Sequence, residues 1–318
     1  FGLAMAQGKR DYMEDIAVAV HHVKMQVPRS CRREGTLAAQ GREDPVQGEV
    51  VDVSFFSVID GHGGIEAAQW AERYIFQNVR AELAAGVDPY EALRVAYLVT
   101  DAGFLAEAAR CNYSSGCAIV SLLRIGNQVY VAGAGDSRAV MFSETGGDPL
   151  PLCDIHRPHL ASELSRISQL GGWVSSSRIS GVLAVSRGMG DMAYKKWVTA
   201  EPDVQLVSPR EGDCLVVLAT DGVWDYLSDD EVGGMVRNAV SPQVAAEQVA
   251  MGALDAESED NVTVLVLHLC KMIENRGQEE GGQLSAPTAS SPASSPGGGG
   301  GGDSREGDRD KDGRALST

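Results

Sequence analysis

FFSVIDGHGG, Phe55 to Gly64, is an apolar run that closes on an acid, a histidine and three glycines. With VVDVS ahead of it, the stretch is rich in β-branched and aromatic residues and reads as a buried strand. An acid at the end of a buried strand is poorly placed unless something cationic meets it. In DGHGG the glycines let the backbone turn sharply after the strand and approach an ion, with the Gly61 carbonyl as a ligand and His62 at the edge of the site.

The same arrangement recurs along the chain. Asp136 follows VYVAGAG, Asp221 follows CLVVLAT, Asp260 precedes NVTVLVLHL, and Glu14 and Asp15 in GKRDYMED precede the alternating run IAVAVHHV. One aspartate at a strand end is usually a turn former or a cap. Five such positions beside Gly or Asn favour a shared cation site, because packed carboxylates repel and raise one another's pKa values. With no Cys/His ligand cluster, the donors are all oxygen, which selects Mg²⁺ or Mn²⁺ over Zn²⁺.

Around these acids the chain reads as α+β. IEAAQWAERYIFQNVRAEL places Ile65, Ala68, Trp70, Ile75, Val79 and Leu83 on one helical face, and YEALRVAYLVTDAGFLAEAAR predicts a second helix. Strands follow at CAIVSLLRI, QVYVAGAGD, RAVMFSE, VLAVSR, DCLVVLATDG and NVTVLVLHL, with short helices at ASELSRISQLGG, SDDEVGGMVRNAV and SPQVAAEQVAMGAL. That order predicts stacked sheets with helices outside them. No G-x-G-x-x-G follows the first strand and there is no P-loop, so a doubly wound nucleotide-binding fold has little support.

The formal net charge of −17 argues against a phosphate-backbone binder, so no nucleic-acid partner is expected. No apolar run approaches the roughly 18 to 20 residues that span a bilayer, so no membrane partner is expected either. Six cysteines without a C-x-x-C pair suggest reduced, mostly buried thiols in an intracellular protein of the cytoplasm or nucleus. Because the chain starts at Phe1 rather than Met, an upstream targeting segment is not excluded. Residues 1–273 read as one domain. Within it, about 25–49 is a surface insertion whose Arg29, Arg32 and Arg33 form either a docking patch or a solvated loop. Residues 274–318, rich in Gly, Ser and Pro, read as a disordered tail.

With these residues in hand, the chain resembles the metal-dependent protein phosphatase family, type 2C. The segments GKRDYMED, FFSVIDGHGG, YVAGAGDSRAV, ELSRISQLGGWV, RISGVLAVSRGMGD, EPDV, VVLATDGVWDYLSDDEV and SEDNVTVLVL stand in the family's order, over roughly residues 2 to 270. The resemblance implies a four-layer αββα sandwich of two antiparallel sheets flanked by helices, with a two-metal site at one end and a flap over about 154–181. It implies a monomeric protein serine/threonine phosphatase acting on phosphoproteins, in which a metal-bridging hydroxide attacks phosphorus directly.

Carried over by motif, Asp60 bridges two ions, the Gly61 carbonyl binds one, Asp221 and Asp260 serve one metal, and Glu14, with Asp15 through water, serves the other. Asp136 and Asp225 match carboxylates of a third, weaker ion. Arg10 matches a phosphate-binding arginine and His62 a general acid. Asp191, in RGMGD, reads better as a structural hydrogen-bonding residue. The chain departs from the family at SSGCA (Ser114 to Ala118) and at DIHRP (Asp154 to Pro158), where the family often has GSTA and DHKP. Both changes bear on packing or substrate choice rather than on catalysis. SSSRIS stands where plant hormone-coreceptor members carry a tryptophan, so no such docking is expected. A weaker likeness to the family's p53-induced member lies in YMEDIAV, SCRRE and FFSVIDGHGGIEAAQWAERYIF. The rival readings are a pseudophosphatase acting as a binding module and a hydrolase of small phosphoesters.

Overall fold

The strand centred on FFSVI organises the molecule. In this computed structural model, whose described residues are 1–28, 48–207 and 213–269, it forms β3 (Glu49–His62), paired antiparallel with β2 (Ile16–Val27) and β4 (Gly116–Ile125). β5 (Gln128–Ala134) and β11 (Asp203–Val207) continue the sheet in the order β11-β5-β4-β3-β2, and the short β10 (Met189–Gly190) adds to β4. A second sheet has the order β1-β13-β12-β6-β7, built from β1 (Gly2–Ala6), β6 (Arg138–Ser143), β7 (Leu150–Pro151), β12 (Asp213–Ala219) and β13 (Val262–His268). All its pairs are antiparallel.

Strand parity explains the layering, since successive side chains face opposite sides of a sheet. Odd-numbered Val53, Phe55 and Ile59 of β3 pack against α1 (Glu66–Ala84) and α2 (Pro89–Cys111), through Ala71, Ile75 and Val79 of the first and Leu93, Ala96 and Tyr97 of the second. Even-numbered Phe56 and Val58 face Val216, Leu218 and Leu265 of the other sheet. On that sheet's far side, Val217, Ala219, Val264 and Val266 meet α5 (Asp229–Asn238) and α6 (Pro242–Asp255). The result is the αββα sandwich. Helix starts follow their caps: Asp88 accepts from the Tyr90 N–H ahead of α2, Ser228 and Glu231 make a capping box at α5, and Ser241 accepts from the Val244 N–H at α6.

Several expectations need correction. β2 runs on to Val27, burying Met25 and Val27, so the insertion begins later than Met25. Arg29, Arg32, Arg33 and the tail over 274–318 lie outside the described residues. VLAVSR is not a strand. Only Leu183 and Arg187 make isolated bridges, because the segment is held by the flap instead. β1 and the four-residue helix α4 (Asp221–Trp224) were not anticipated. Cys111, Cys117 and Cys153 are free, but Cys214 is disulfide-bonded, which spacing along the chain does not reveal. No described helix is long and apolar enough to cross a membrane.

Candidate metal centre and active site

Parity also aims the acids. Asp60 shares the even-numbered face of β3 with Phe56 and Val58, so its carboxylate projects between the sheets where the strand nears its end. β3 does not stop there. Gly61 and His62 still pair with Cys117 and Gly116 of β4, and the sharp turn is made by Gly63 and Gly64, at φ 66° and 124°. Gly61 serves close approach instead, since a Cβ there would run into the Glu14 main-chain oxygen.

Asp136 follows β5, and Asp221 opens α4. The Asp225 N–H donates to the Asp221 carbonyl at 2.9 Å, which puts the two acids one helical turn apart on one side. Carboxylate oxygens of Asp60, Asp136 and Asp221 lie within 4.8 Å of one another. Arg10, Glu14, Gly61, His62, Asp225 and Asp260 line the same cavity, of about 680 Å³. Asp15 does not reach its lining. It is 3% exposed and accepts a hydrogen bond from Thr220 Oγ1 at 3.1 Å, behind the cluster.

Burial and mutual repulsion make the acids at the centre of the cluster harder to ionise. Burial, then the charges of Asp15, Asp221, Asp136 and Asp260, raise Asp60 well above the ordinary carboxylate range. Burial, with Asp136 and Asp225, pushes Asp221 up to about 8, and burial pushes Asp15 up to about 7. Asp136 is raised by burial, with Arg157 pulling the other way. A cation would remove this frustration, and the oxygen-only donor set fits a hard divalent ion.

Two neighbours set the rim. Arg10 donates from Nη2 to Asp260 Oδ2 at 2.5 Å. His62 Nε2 lies 3.0 Å from both carboxylate oxygens of Asp191. Burial opposes charge on the imidazole, but Asp191 outweighs it and the His62 pKa is raised. Over the cavity hangs the flap: α3 (Ala161–Gln169) and the hairpin of β8 (Val174–Ser175) and β9 (Arg178–Ile179) share a small core of Ile167, Ile179 and Val198. Ser176 and Ser177 at the hairpin tip, with φ 50° and 60°, line the cavity. Arg166 and Arg187 hold the flap's buried Glu163, which burial alone would raise, down to about 2.

The family model for protein phosphatase 2C matches residues 20–262. The chain belongs to the protein phosphatase 2C family. It is 33% identical over 270 residues to "Probable protein phosphatase 2C 59" of Arabidopsis thaliana, covering 84% of this chain and 78% of that protein. It is 34% identical over 252 residues to "Protein phosphatase 1F" of Homo sapiens, covering 76% of this chain but 54% of that one. Among solved structures, a C. elegans sex determining protein superposes with TM-score 0.68 at 24% identity, covering 86% of this chain and 66% of that chain. A serine-threonine phosphatase 2C from Toxoplasma gondii superposes with TM-score 0.65 at 21% identity, covering 84% and 93%. At those identities the likeness shows the fold alone.

Within this protein phosphatase 2C chain, two residues near the site escaped sequence reasoning. Asn261 accepts the Glu14 N–H at 2.8 Å and donates to the Gln7 and Tyr12 carbonyls, lashing the loop that carries Arg10 and Glu14 to the start of β13. Its only signal was its place beside Asp260. Arg157, seen in the sequence only as part of DIHRP, reaches into the acid cluster itself.

Proposed function

We propose that the chain is a Mg²⁺- or Mn²⁺-dependent protein serine/threonine phosphatase that hydrolyses phosphoserine and phosphothreonine without a covalent phosphoenzyme. The observation that carries this reading is the convergence of Asp60, Asp136 and Asp221 at the end of the sandwich, in a cavity that also holds Arg10 and His62. Its relatives' names, protein phosphatase among them, support the same reaction class.

Asp60, the Gly61 carbonyl, Asp221, Asp260 and Glu14 are the residues that would hold two ions, with Asp15 acting from behind through water. Divalent ions bound there supply charge to balance phosphate oxygens and acidify a water molecule near neutral pH. The chain's own groups do the rest. Arg10 offers a planar fork to the phosphate oxygens beside Asp260. His62, held in its charged form by the Asp191 carboxylate on Nε2, gives the proton of its other ring nitrogen, Nδ1, to the departing serine or threonine oxygen. The flap limits access and presents Arg178 and His159 to the peptide around the phosphate. A side-chain nucleophile has no support: Cys117, next to the site on β4, is buried and its thiol is pushed well up.

The test is phosphate release from a phosphothreonine peptide by the purified chain, with Mn²⁺ or Mg²⁺ and then with excess chelator. Turnover that stops with the chelator is expected. Absence of turnover while calorimetry still shows metal binding would overturn the enzymatic reading in favour of a binding module. A preference for nucleotide esters over phosphopeptides would overturn the substrate class.

A further inference from the structure

Arg157 is the one basic side chain that enters the acid cluster from the flap side, among the described residues that line the cavity with Asp136 and Asp225. Its Nε donates to Asp136 Oδ2 at 3.1 Å, and its Nη2 lies 2.8 Å from both oxygens of Asp225 and 3.5 Å from Asp221 Oδ2. One guanidinium thus spans three carboxylates contributed by the end of β5 and by α4. A planar fork with five N–H donors can do this where a point-like ammonium cannot.

The backbone beneath it is pinned to the strand that carries Asp136. His156, buried at 2% exposure, donates its main-chain N–H to the Gly135 carbonyl at 2.9 Å. Its ring accepts the Gly135 N–H on Nδ1 at 3.3 Å, which leaves Nε2 to carry the proton shared with Asp203 at 2.9 Å. Residue 156 is therefore clamped between β5 and β11, and the next residue has Asp136 and Asp225 within reach of its side chain. The Arg157 side chain itself is 27% exposed, so the guanidinium sits at the cavity's outer edge and not behind it.

The cluster is consequently unequal from side to side. Arg157 stands 3.5 Å from Asp221 but within 3.1 Å of both Asp136 and Asp225, so the edge that those two make already has a close cation of its own. We propose that the Arg157 guanidinium is the resident counter-ion of the Asp136–Asp225 edge, and that it limits the centre to two divalent ions by occupying the place a third would take. This rests on the metal-centre reading given above. It assigns Arg157 a role in setting ion number and thereby the metal concentration at which the centre is fully loaded. Arg157 is a positioning residue here, acting on the acids rather than on substrate.

Counting bound Mn²⁺ tests it, by calorimetry together with electron paramagnetic resonance of the free ion, on the full chain as wild type and as Arg157→Met. Arg157→Gln runs alongside in case the first variant does not fold. The wild type is expected to bind two ions. Either variant is expected to bind a third at least about ten-fold more tightly than any third event in the wild type, given the coupling of close charge pairs. Adding Asp225→Asn to the variant returns the count to two. Equal counts in wild type and variants, two or three in each, would overturn the role of Arg157 while leaving the metal centre standing. No bound ion in any of them would overturn the metal centre and this inference together.

Discussion

Asp52 and Asp60 lie on the same strand and the same face of β3, eight residues or about 26 Å apart at 3.3 Å per residue. Asp52 is 3% exposed, accepts from Arg124 Nη2 at 2.6 Å and faces His22 Nδ1 at 2.7 Å. Burial works against its charge, yet His22 and Arg124 outweigh burial and its pKa is lowered. Asp60 has the same chemistry and the opposite surroundings: burial and then the acids Asp15, Asp221, Asp136 and Asp260 raise its pKa, and Arg10 does not outweigh them. A buried acid with its own cation holds the fold together. A buried acid among acids has been left to meet a cation from outside.

The sharpest way to break this comparison is to neutralise each acid in turn. Asp60→Asn, or Asp221→Asn, should lower turnover by about 10³-fold or more, each factor of ten being about 1.4 kcal/mol of lost transition-state stabilisation. It should also raise the melting temperature of the chelated protein, because a like charge has gone. Asp52→Asn should leave activity per folded molecule unchanged. It should cost about 3 kcal/mol by stranding buried Arg124, a fall in melting temperature on the order of 10 °C. Activity assays paired with thermal melts read both. Full turnover in Asp60→Asn would sink the metal assignment.

The pH dependence should separate the two ends next. A carboxylate whose folded pKa lies above its unfolded value binds more protons folded than unfolded, so its contribution falls as pH rises between the two. With Asp221 at about 8 and Asp15 at about 7, the chelated protein should lose stability from pH 4 to pH 8, and added Mg²⁺ should abolish that loss. Asp52 works in the other direction. Its stabilisation is present above the unfolded pKa and disappears as pH falls through the lowered folded value. Melts across pH with and without Mg²⁺ check both, and a chelated protein that gains stability towards pH 8 would contradict the frustrated cluster.

Smaller effects belong to the rim. His62→Ala should slow an unactivated phosphopeptide by about 10²-fold and an activated aryl phosphate much less, because only the poor leaving group needs the proton. Equal slowing of both would count against the acid role. Asp191→Asn should act more mildly, moving the alkaline limb of the rate profile to lower pH as the support for the His62 proton weakens.

Much of this was legible in the sequence because β3, β4, β12 and β13 are long apolar runs, buried on both faces, and α2, α5 and α6 carry their caps. The acid at the end of FFSVI flagged the rim because a buried strand end is a poor place for a carboxylate without a cation; parity then sends it inward. What stayed hidden depends on contacts across the chain. GLAMA, Gly2 to Ala6, has no β-branched residue and becomes β1 only by pairing with β13. VLAVSR has the composition of a strand, but Arg187 spends its guanidinium on Glu163 and Asp203 and the segment follows the flap. GKRDYMED gives no sign that Asp15 sits behind the cluster, where Thr220 donates to it from 205 positions away. Arg157 reaches Asp225, 68 positions away, a distance over which no local pattern operates.

The most direct test of the metal centre is an anomalous difference map from crystals of the chain grown with Mn²⁺. The expected result is Mn²⁺ density beside Asp60, Asp221 and Asp260, with none beside Asp52 and Arg124. A map with no peak at the Asp60 rim, from crystals whose Mn²⁺ is visible elsewhere, would contradict it.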